Sequence, residues 1–145
     1  MKTLRIYDSS ITDISAVASM PLLEEFACSK MVPARPSIKN FSPLASCLKL
    51  KILSLGTNSE LKDLSPLSAC AALEYLDIDH CRLITDLAPL SALAHIRKVY
   101  CSGIDPQTSL LPLESCTRLK ELWCSTYAVD LGEIRKRRPE IVYRH

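Results

Sequence analysis

Glycine is scarce: Gly56, Gly103 and Gly132 are the only three in 145 residues. Spaced so widely, they exclude the G-x-G-x-x-G turn and the phosphate-binding loop, both of which need clustered glycines so that the backbone can approach a phosphate. No serine lies in a G-x-S-x-G elbow, which removes the commonest nucleophile motif of α/β hydrolases. Seven cysteines are present, yet no two stand in a C-x-x-C spacing, so nothing supports a zinc site. No uninterrupted apolar run approaches the roughly 18 residues of a membrane-spanning helix. The opening MKTLRIYDSS turns polar at Asp8 before a signal-peptide apolar region can form, so the chain is expected to be soluble and not exported by a standard route. Charge is nearly balanced, with 18 Lys and Arg against 16 Asp and Glu. The imbalance sits in the last fifteen residues, where five basic residues face two glutamates and leave the rest of the chain at −1. A general attraction to nucleic acid or to an anionic membrane has no support outside that tail.

What the chain does have is self-similarity. DLSPLSACAALEYLDI, from Asp63, returns as DLAPLSALAHIRKVYC, from Asp86, 23 residues later. Apolar residues in the pattern L-x-x-L-x-L occur at Leu50, Leu53, Leu55; Leu73, Leu76, Ile78; Ile96, Val99, Cys101; and Leu119, Leu122, Cys124, each set 23 residues from the last. Met1, Leu4, Ile6 and Leu23, Phe26, Cys28 fit as earlier copies, the second unit being four residues longer. A second apolar set follows each first one, for example Leu64, Leu67, Cys70 and Leu87, Leu90, Leu93. Spacing of two suits a short strand, and spacing of three suits a tight helical turn. Ser42-Pro43 and Ser65-Pro66 predict an N-cap hydroxyl followed by proline at the first helical position. Pro89 and Pro112 hold the same place, and Ala16 replaces it in the first unit.

On these residues the chain resembles the leucine-rich repeat family: LKDLSPLSAC and ITDLAPLSAL are similar to the internalin-like class and to the cysteine-containing 23-residue repeats of kinetoplastid proteins. The resemblance covers about residues 1–127 and is specific for fold rather than function. It implies an α/β leucine-rich repeat solenoid, with a curved parallel sheet on the concave side and short 3-10 or α turns on the convex side. One unit cannot bury its apolar residues alone, so stacking is also what the physics requires. Six repeats are expected, starting near residues 1, 23, 50, 73, 96 and 119, followed over 128–145 by a cap helix and a final strand. Leu131 and Ile134 are expected to face inward, Pro139 to end the helix, and Arg135, Lys136, Arg137 and Arg138 to lie on its solvated side. At the other end the sequence has nothing before Met1 to cover Leu4, Ile6, Ile11, Ile14 and Val17, which predicts an open edge, an edge covered by a second copy or a partner, or a piece of a longer repeat protein.

All seven cysteines fall at expected core positions, where a thiol behaves as a small hydrophobe; Cys81 takes the slot where the family usually has asparagine or cysteine. Buried reduced thiols imply an intracellular location, cytoplasmic or nuclear. Cys101 with Cys124, and Cys47 with Cys70, occupy equivalent slots in adjacent units, so oxidation would be able to join them. DIDHC, Asp77 to Cys81, brings carboxylates and a histidine together, but no residues at a suitable spacing complete a metal or general-base site, and a polar interaction surface is the better reading. His95 and His145 are expected at the surface. No catalytic residue, metal ligand or cofactor is expected, and the chain is read as a non-enzyme.

Strand alternation sends positions 3, 5 and 7 of each unit outward. The first three units then present Thr3, Arg5, Tyr7, Glu25, Ala27, Ser29, Ile52, Ser54 and Gly56. The last three present Tyr75, Asp77, Asp79, Lys98, Tyr100, Ser102, Glu121, Trp123 and Ser125. Exposed Trp and Tyr beside a carboxylate suit an energetically central contact, whereas rings lying flat on their neighbours would merely shield the sheet. Tyr75, Asp77, Asp79, Tyr100 and Trp123 are therefore the expected contact set for a protein or peptide partner. The basic extension of the second unit (Lys30, Arg35, Lys39) and the tail (Arg135, Lys136, Arg137, Arg138) are secondary candidates. The alternative reading is a structural subunit of a larger assembly, RNA-containing ones included, docked through the N-terminal edge, where a homodimer would also form, or through the basic cap.

Overall fold

In the computed structural model, which describes residues 1–7, 10–29 and 37–145, the repeats become coils of one stack. Seven three-residue strands, β1 (Thr3–Arg5), β2 (Glu25–Ala27), β3 (Ile52–Ser54), β4 (Tyr75–Asp77), β5 (Lys98–Tyr100), β6 (Glu121–Trp123) and β7 (Val142–Arg144), form one parallel sheet in sequence order. Opposite them run the 3-10 turns η1 (Ser15–Ser19), η2 (Ser42–Ser46), η3 (Ser65–Ala69), η4 (Ala88–Ala92) and η5 (Leu111–Ser115), then helix α1 (Leu131–Arg137).

Register explains why such short strands persist. Leu4, Phe26, Leu53, Leu76, Val99, Leu122 and Tyr143 pair in one column. The five from Phe26 to Leu122 are completely buried. Burying an aliphatic side chain of this size contributes about 1.5–3 kcal/mol, and here the neighbouring coil does the burying. Hydrogen bonds run the same way, from each strand to the next, as in Ile78 N–H to Tyr100 O at 2.8 Å and Cys101 N–H to Trp123 O at 2.8 Å.

The turns differ from expectation in one respect. Ser42 and Ser65 are the first residues of their 3-10 turns, and neither hydroxyl caps them. The cap is the carboxylate or amide two residues earlier: Asp13 accepts from Ser15 N–H at 2.7 Å, Asn40 from Ser42 at 2.9 Å, Asp63 from Ser65 at 2.8 Å and Asp86 from Ala88 at 2.7 Å. A short acceptor side chain satisfies an orphan N–H in the same way at longer helices.

All seven cysteines are buried, and none is in a disulfide. Cys81 and Cys101 bond to Leu55 O and Trp123 O of adjacent coils at 3.4 and 3.3 Å, and on the turn side Cys47, Cys70 and Cys116 donate their thiols to the carbonyls of Val17, Leu44 and Leu90 in the preceding coil, at 3.7, 3.4 and 3.3 Å. Each of these three turn carbonyls already accepts one backbone N–H, so the thiol takes its second lone pair.

At the C-terminal end Leu131 and Ile134 are buried, as expected of a cap. Arg138 departs from the solvated-face expectation. It is half-buried, and its Nη1 donates to Glu114 O at 2.7 Å and Cys116 O at 3.2 Å, satisfying carbonyls at the end of η5. At the N-terminal end Ile14 and Val17 are 3% and 2% exposed, because the next coil covers them, which corrects the expectation that they lie open. Leu4 and Ile6 are half-buried, and Ile11 remains exposed.

Where the chain enters each strand, the second residue of the unit carries charge. Glu24 is gripped by Lys2 at 2.8 Å and Lys51 at 3.0 Å, and Glu74 pairs with Arg97 at 3.3 Å. The hydrogen bond from Lys2, then that from Lys51, holds the Glu24 carboxyl down at about 2, against an ordinary 4.5. A depressed carboxyl stabilises the fold fully above its unfolded pKa and ceases to do so as pH falls toward the folded one. The difference in thermal midpoint between wild type and Glu24→Gln, measured by circular dichroism, is therefore expected to be full at pH 7, to shrink from pH 4.5 downward and to vanish near pH 2. A difference that does not change with pH would show that the three charges do not interact.

Candidate functional site

Parallel, in-register strands place equivalent side chains about 4.8 Å apart, which is close to a ring-stacking distance. Along one outward column the order is Ser54, Asp77, Tyr100, Trp123, Arg144. The Tyr100 and Trp123 rings lie 5.3 Å apart and within 11° of parallel. Tyr75, from the adjacent column, leans on Tyr100 at 5.3 Å and 42°. On the far side the Arg144 guanidinium sits 5.7 Å from the Trp123 ring centre. The indole N–H donates to Glu121 Oε1 at 2.7 Å, and Glu121 is in turn held by Lys98 at 3.1 Å and Arg144 at 3.3 Å. That indole bond first, and the Lys98 bond second, keep the Glu121 carboxyl below its usual range. Both faces and the polar edge of Trp123 are thus occupied, and the rings present their outer edges to solvent. Among the described residues neither the Tyr75 nor the Tyr100 hydroxyl has a hydrogen-bond partner.

The two aspartates adjoin this stack. Asp77 accepts from Ser54 Oγ at 2.8 Å and from Asp79 N–H at 3.0 Å, while Asp79 accepts from Ser102 N–H at 2.6 Å. Neither carries an ion pair among the described residues. Burial pushes the Asp79 carboxyl up, against the pull of the Ser102 N–H. Burial, and then Asp77, push the Tyr75 hydroxyl up to about 12. The result is an uncompensated negative patch beside a fixed aromatic edge. Beyond it Thr57, His80 and Gly103, successive at 23 residues, all adopt left-handed φ of 61°, 58° and 72°. The His80 ring lies over Gly103, where an added Cβ would come 2.4 Å from His80 Nδ1.

The structure brings Tyr75, Asp77, Asp79, Tyr100 and Trp123 together on one face, each half-buried. The rings lie against one another, as the shielding reading has it, and are still partly exposed to solvent. Two residues expected outward are instead covered. Ala27 is 2% exposed, and Gly56 is buried with the Asp77 carboxylate 3.0 Å from where its Cβ would stand. Small residues between larger neighbours expose little, whatever their orientation. Sequence reasoning did not single out Glu121, Lys98 and Arg144, which fix the indole; the available signal was their shared register with Trp123 and its neighbours. Among the secondary candidates, Lys30 and Arg35 lie outside the described residues and Lys39 is exposed. Arg137 is engaged by Glu114 and Glu133, both at 2.9 Å, Arg135 stacks 5.2 Å from the Tyr143 ring, and Lys136 is exposed. His95 and His145 are exposed, the latter bonded to Cys124 O at 3.0 Å. Among the described residues no group of three His, Cys, Asp or Glu is placed to hold a metal ion. Burial raises the Cys81 thiol to about 12 and those of Cys70, Cys116 and Cys124 to about 11, which keeps them protonated and unreactive.

The family model described as Leucine Rich repeats (2 copies) matches residues 49–92. No curated protein matches the chain. Among solved structures, an internalin (inlF) of Listeria monocytogenes is similar over 99% of this chain at 20% identity with a TM-score of 0.70. Internalin C2 of the same organism is similar over 99% at 24% identity with a TM-score of 0.75. The chain spans 47% of the first protein and 60% of the second. At these identities the likeness concerns the fold.

Gly103→Ala is expected to destabilise the protein by about 1–3 kcal/mol in urea unfolding, through positive φ and collision with His80. Gly132→Ala, in α1 with open space around it, should be neutral or stabilising by about 0.5–1 kcal/mol. Equal effects at the two positions would contradict the packing of His80 over its neighbour.

Proposed function

Since this chain is a leucine-rich repeat solenoid whose alternate strand residues leave the buried spine and face outward, we propose that it is a non-enzymatic protein-interaction module that binds a protein or peptide on the concave sheet. The observation that carries this reading is the run beside Asp77 and Asp79 in which Tyr75 tilts against Tyr100, Tyr100 stacks on Trp123 and the Arg144 guanidinium covers the indole's other face. Rigid aromatic anchors lose little conformational freedom on binding, and they dominate the affinity of many interfaces. The indole is already fixed by Tyr100, Glu121 and Arg144, so a partner would meet a pre-organised surface. Two free tyrosine hydroxyls and two carboxylates without counter-ions supply polar recognition, and suit a partner surface that brings donors and positive charge. Seven buried cysteines, none in a disulfide, support an intracellular, reducing setting.

The test uses the wild-type protein and the Trp123→Ala/Tyr100→Ala variant as baits for the same native lysate, with captured proteins quantified by mass spectrometry. Circular dichroism should show an unchanged fold, since both side chains lie outside the spine. At least one protein retained by the wild type should fall by about 30-fold or more, matching the roughly 2 kcal/mol of a hot spot. Identical captured sets from a folded variant would contradict the assignment of the site.

A further inference from the structure

The charged column at the strand entrances contains an irregularity. Its order is Lys2, Glu24, Lys51, Glu74, Arg97, Lys120, and then Ile141, one residue before the Glu121–Val142 pair. Signs alternate through Arg97, and the carboxylates are matched by the cations beside them. Lys120 breaks the alternation: it follows a cation and precedes an apolar residue. Among the described residues it makes no ion pair. Arg118, two residues earlier in the same loop, reaches His95 Nδ1 at 3.1 Å and makes no ion pair among the described residues. A ring nitrogen that accepts from a guanidinium is unprotonated, so this contact leaves the Arg118 charge uncompensated.

Lys120 and Arg118 line an open pocket of about 650 Å³, together with Arg97, Thr117, Leu119, Glu140 and Val142. Glu140 is already bound by Arg138. Val142 is 49% exposed and gives the pocket an apolar wall.

We propose that this rim pocket binds a carboxylate of a polypeptide partner, an aspartate or glutamate side chain flanked by an apolar residue. The carboxylate lies between Lys120 and Arg118, and the apolar neighbour rests on Val142. The earlier rung supplies the geometry, since Glu24 already sits between two cations at 2.8 and 3.0 Å. Two features favour a singly charged carboxylate over a phosphate. The fixed negative charge of Glu140 stands in the wall and opposes a dianion. The backbone N–H groups of Thr117, Leu119, Lys120 and Val142 are all spent on Ser115, Cys116, Arg97 and Lys120 carbonyls, so no cradle of amides remains for a phosphate. The pocket is separate from the aromatic stack, and the proposal stands whether or not that stack binds a partner.

The experiment is a titration of the ¹⁵N-labelled full chain, followed by heteronuclear NMR, with N-acetyl-Leu-Glu-Leu-amide, its Gln counterpart and inorganic phosphate. The Glu peptide should shift the amides of 117–120 and of Val142 saturably. The Gln peptide, which loses both charge pairs, should bind about tenfold more weakly, and Lys120→Ala or Arg118→Ala should each weaken the Glu peptide about three- to fivefold, the range of one exposed charge pair. Both residues are exposed, so the variants should keep the wild-type thermal midpoint. Equal affinity for the Glu and Gln peptides, shifts confined to other regions, or phosphate saturating these amides at lower concentration than the peptide would overturn the proposal.

Discussion

No coil of this protein can bury its own apolar residues, and everything else follows from that constraint. A strand of three residues and a 3-10 turn of five enclose a single layer of side chains, such as Leu73, Leu76, Ile78, Leu87 and Leu90, all at most 1% exposed. Only the coils above and below exclude water from that layer. Stability is therefore a property of neighbours, and the side chains that do not point into the spine are released from packing and free to differ from coil to coil.

The same constraint governs the polar groups. Stacking buries backbone at the turns, where short 3-10 elements leave N–H and C=O groups without intrahelical partners. Asp13, Asn40, Asp63 and Asp86 take the N–H groups, and Cys47, Cys70 and Cys116 bond to the carbonyls of the coil before. Asn58 does the equivalent at a strand end, donating to Cys28 O at 3.1 Å and Leu55 O at 2.6 Å. Cysteine is thus small enough for the layer and still polar enough to close a hydrogen bond between coils, which an alanine cannot do.

Much of this was legible because a period of 23 residues fixes both depth and direction. Leu50, Leu53 and Leu55 recur as Leu73, Leu76 and Ile78, and all six are fully buried. The shared slot of Asp77, Tyr100 and Trp123 was equally readable, and the in-register pairing of β4, β5 and β6 stacks their side chains as that slot requires. Less legible was whatever depends on lateral neighbours rather than on direction. Ala27 and Gly56 point outward yet are covered, because larger side chains flank them. Arg138 is one of four consecutive basic residues in sequence, but its length lets it turn back to Glu114 O and Cys116 O. The serine of each SP pair drew attention as a cap, although the acceptor two residues earlier was present in every one of those turns.

Spine and surface are two halves of one claim, and hydroxyl-radical footprinting of the native protein, read by mass spectrometry, examines both at once. Thiols are among the most reactive side chains toward the radical, and tyrosine and tryptophan also react readily. The account predicts early modification of Tyr75, Tyr100 and Trp123, with Cys47, Cys70, Cys101 and Cys116 intact until the chain is unfolded. Modification of those thiols in the folded protein, or a Trp123 as protected as they are, would contradict it.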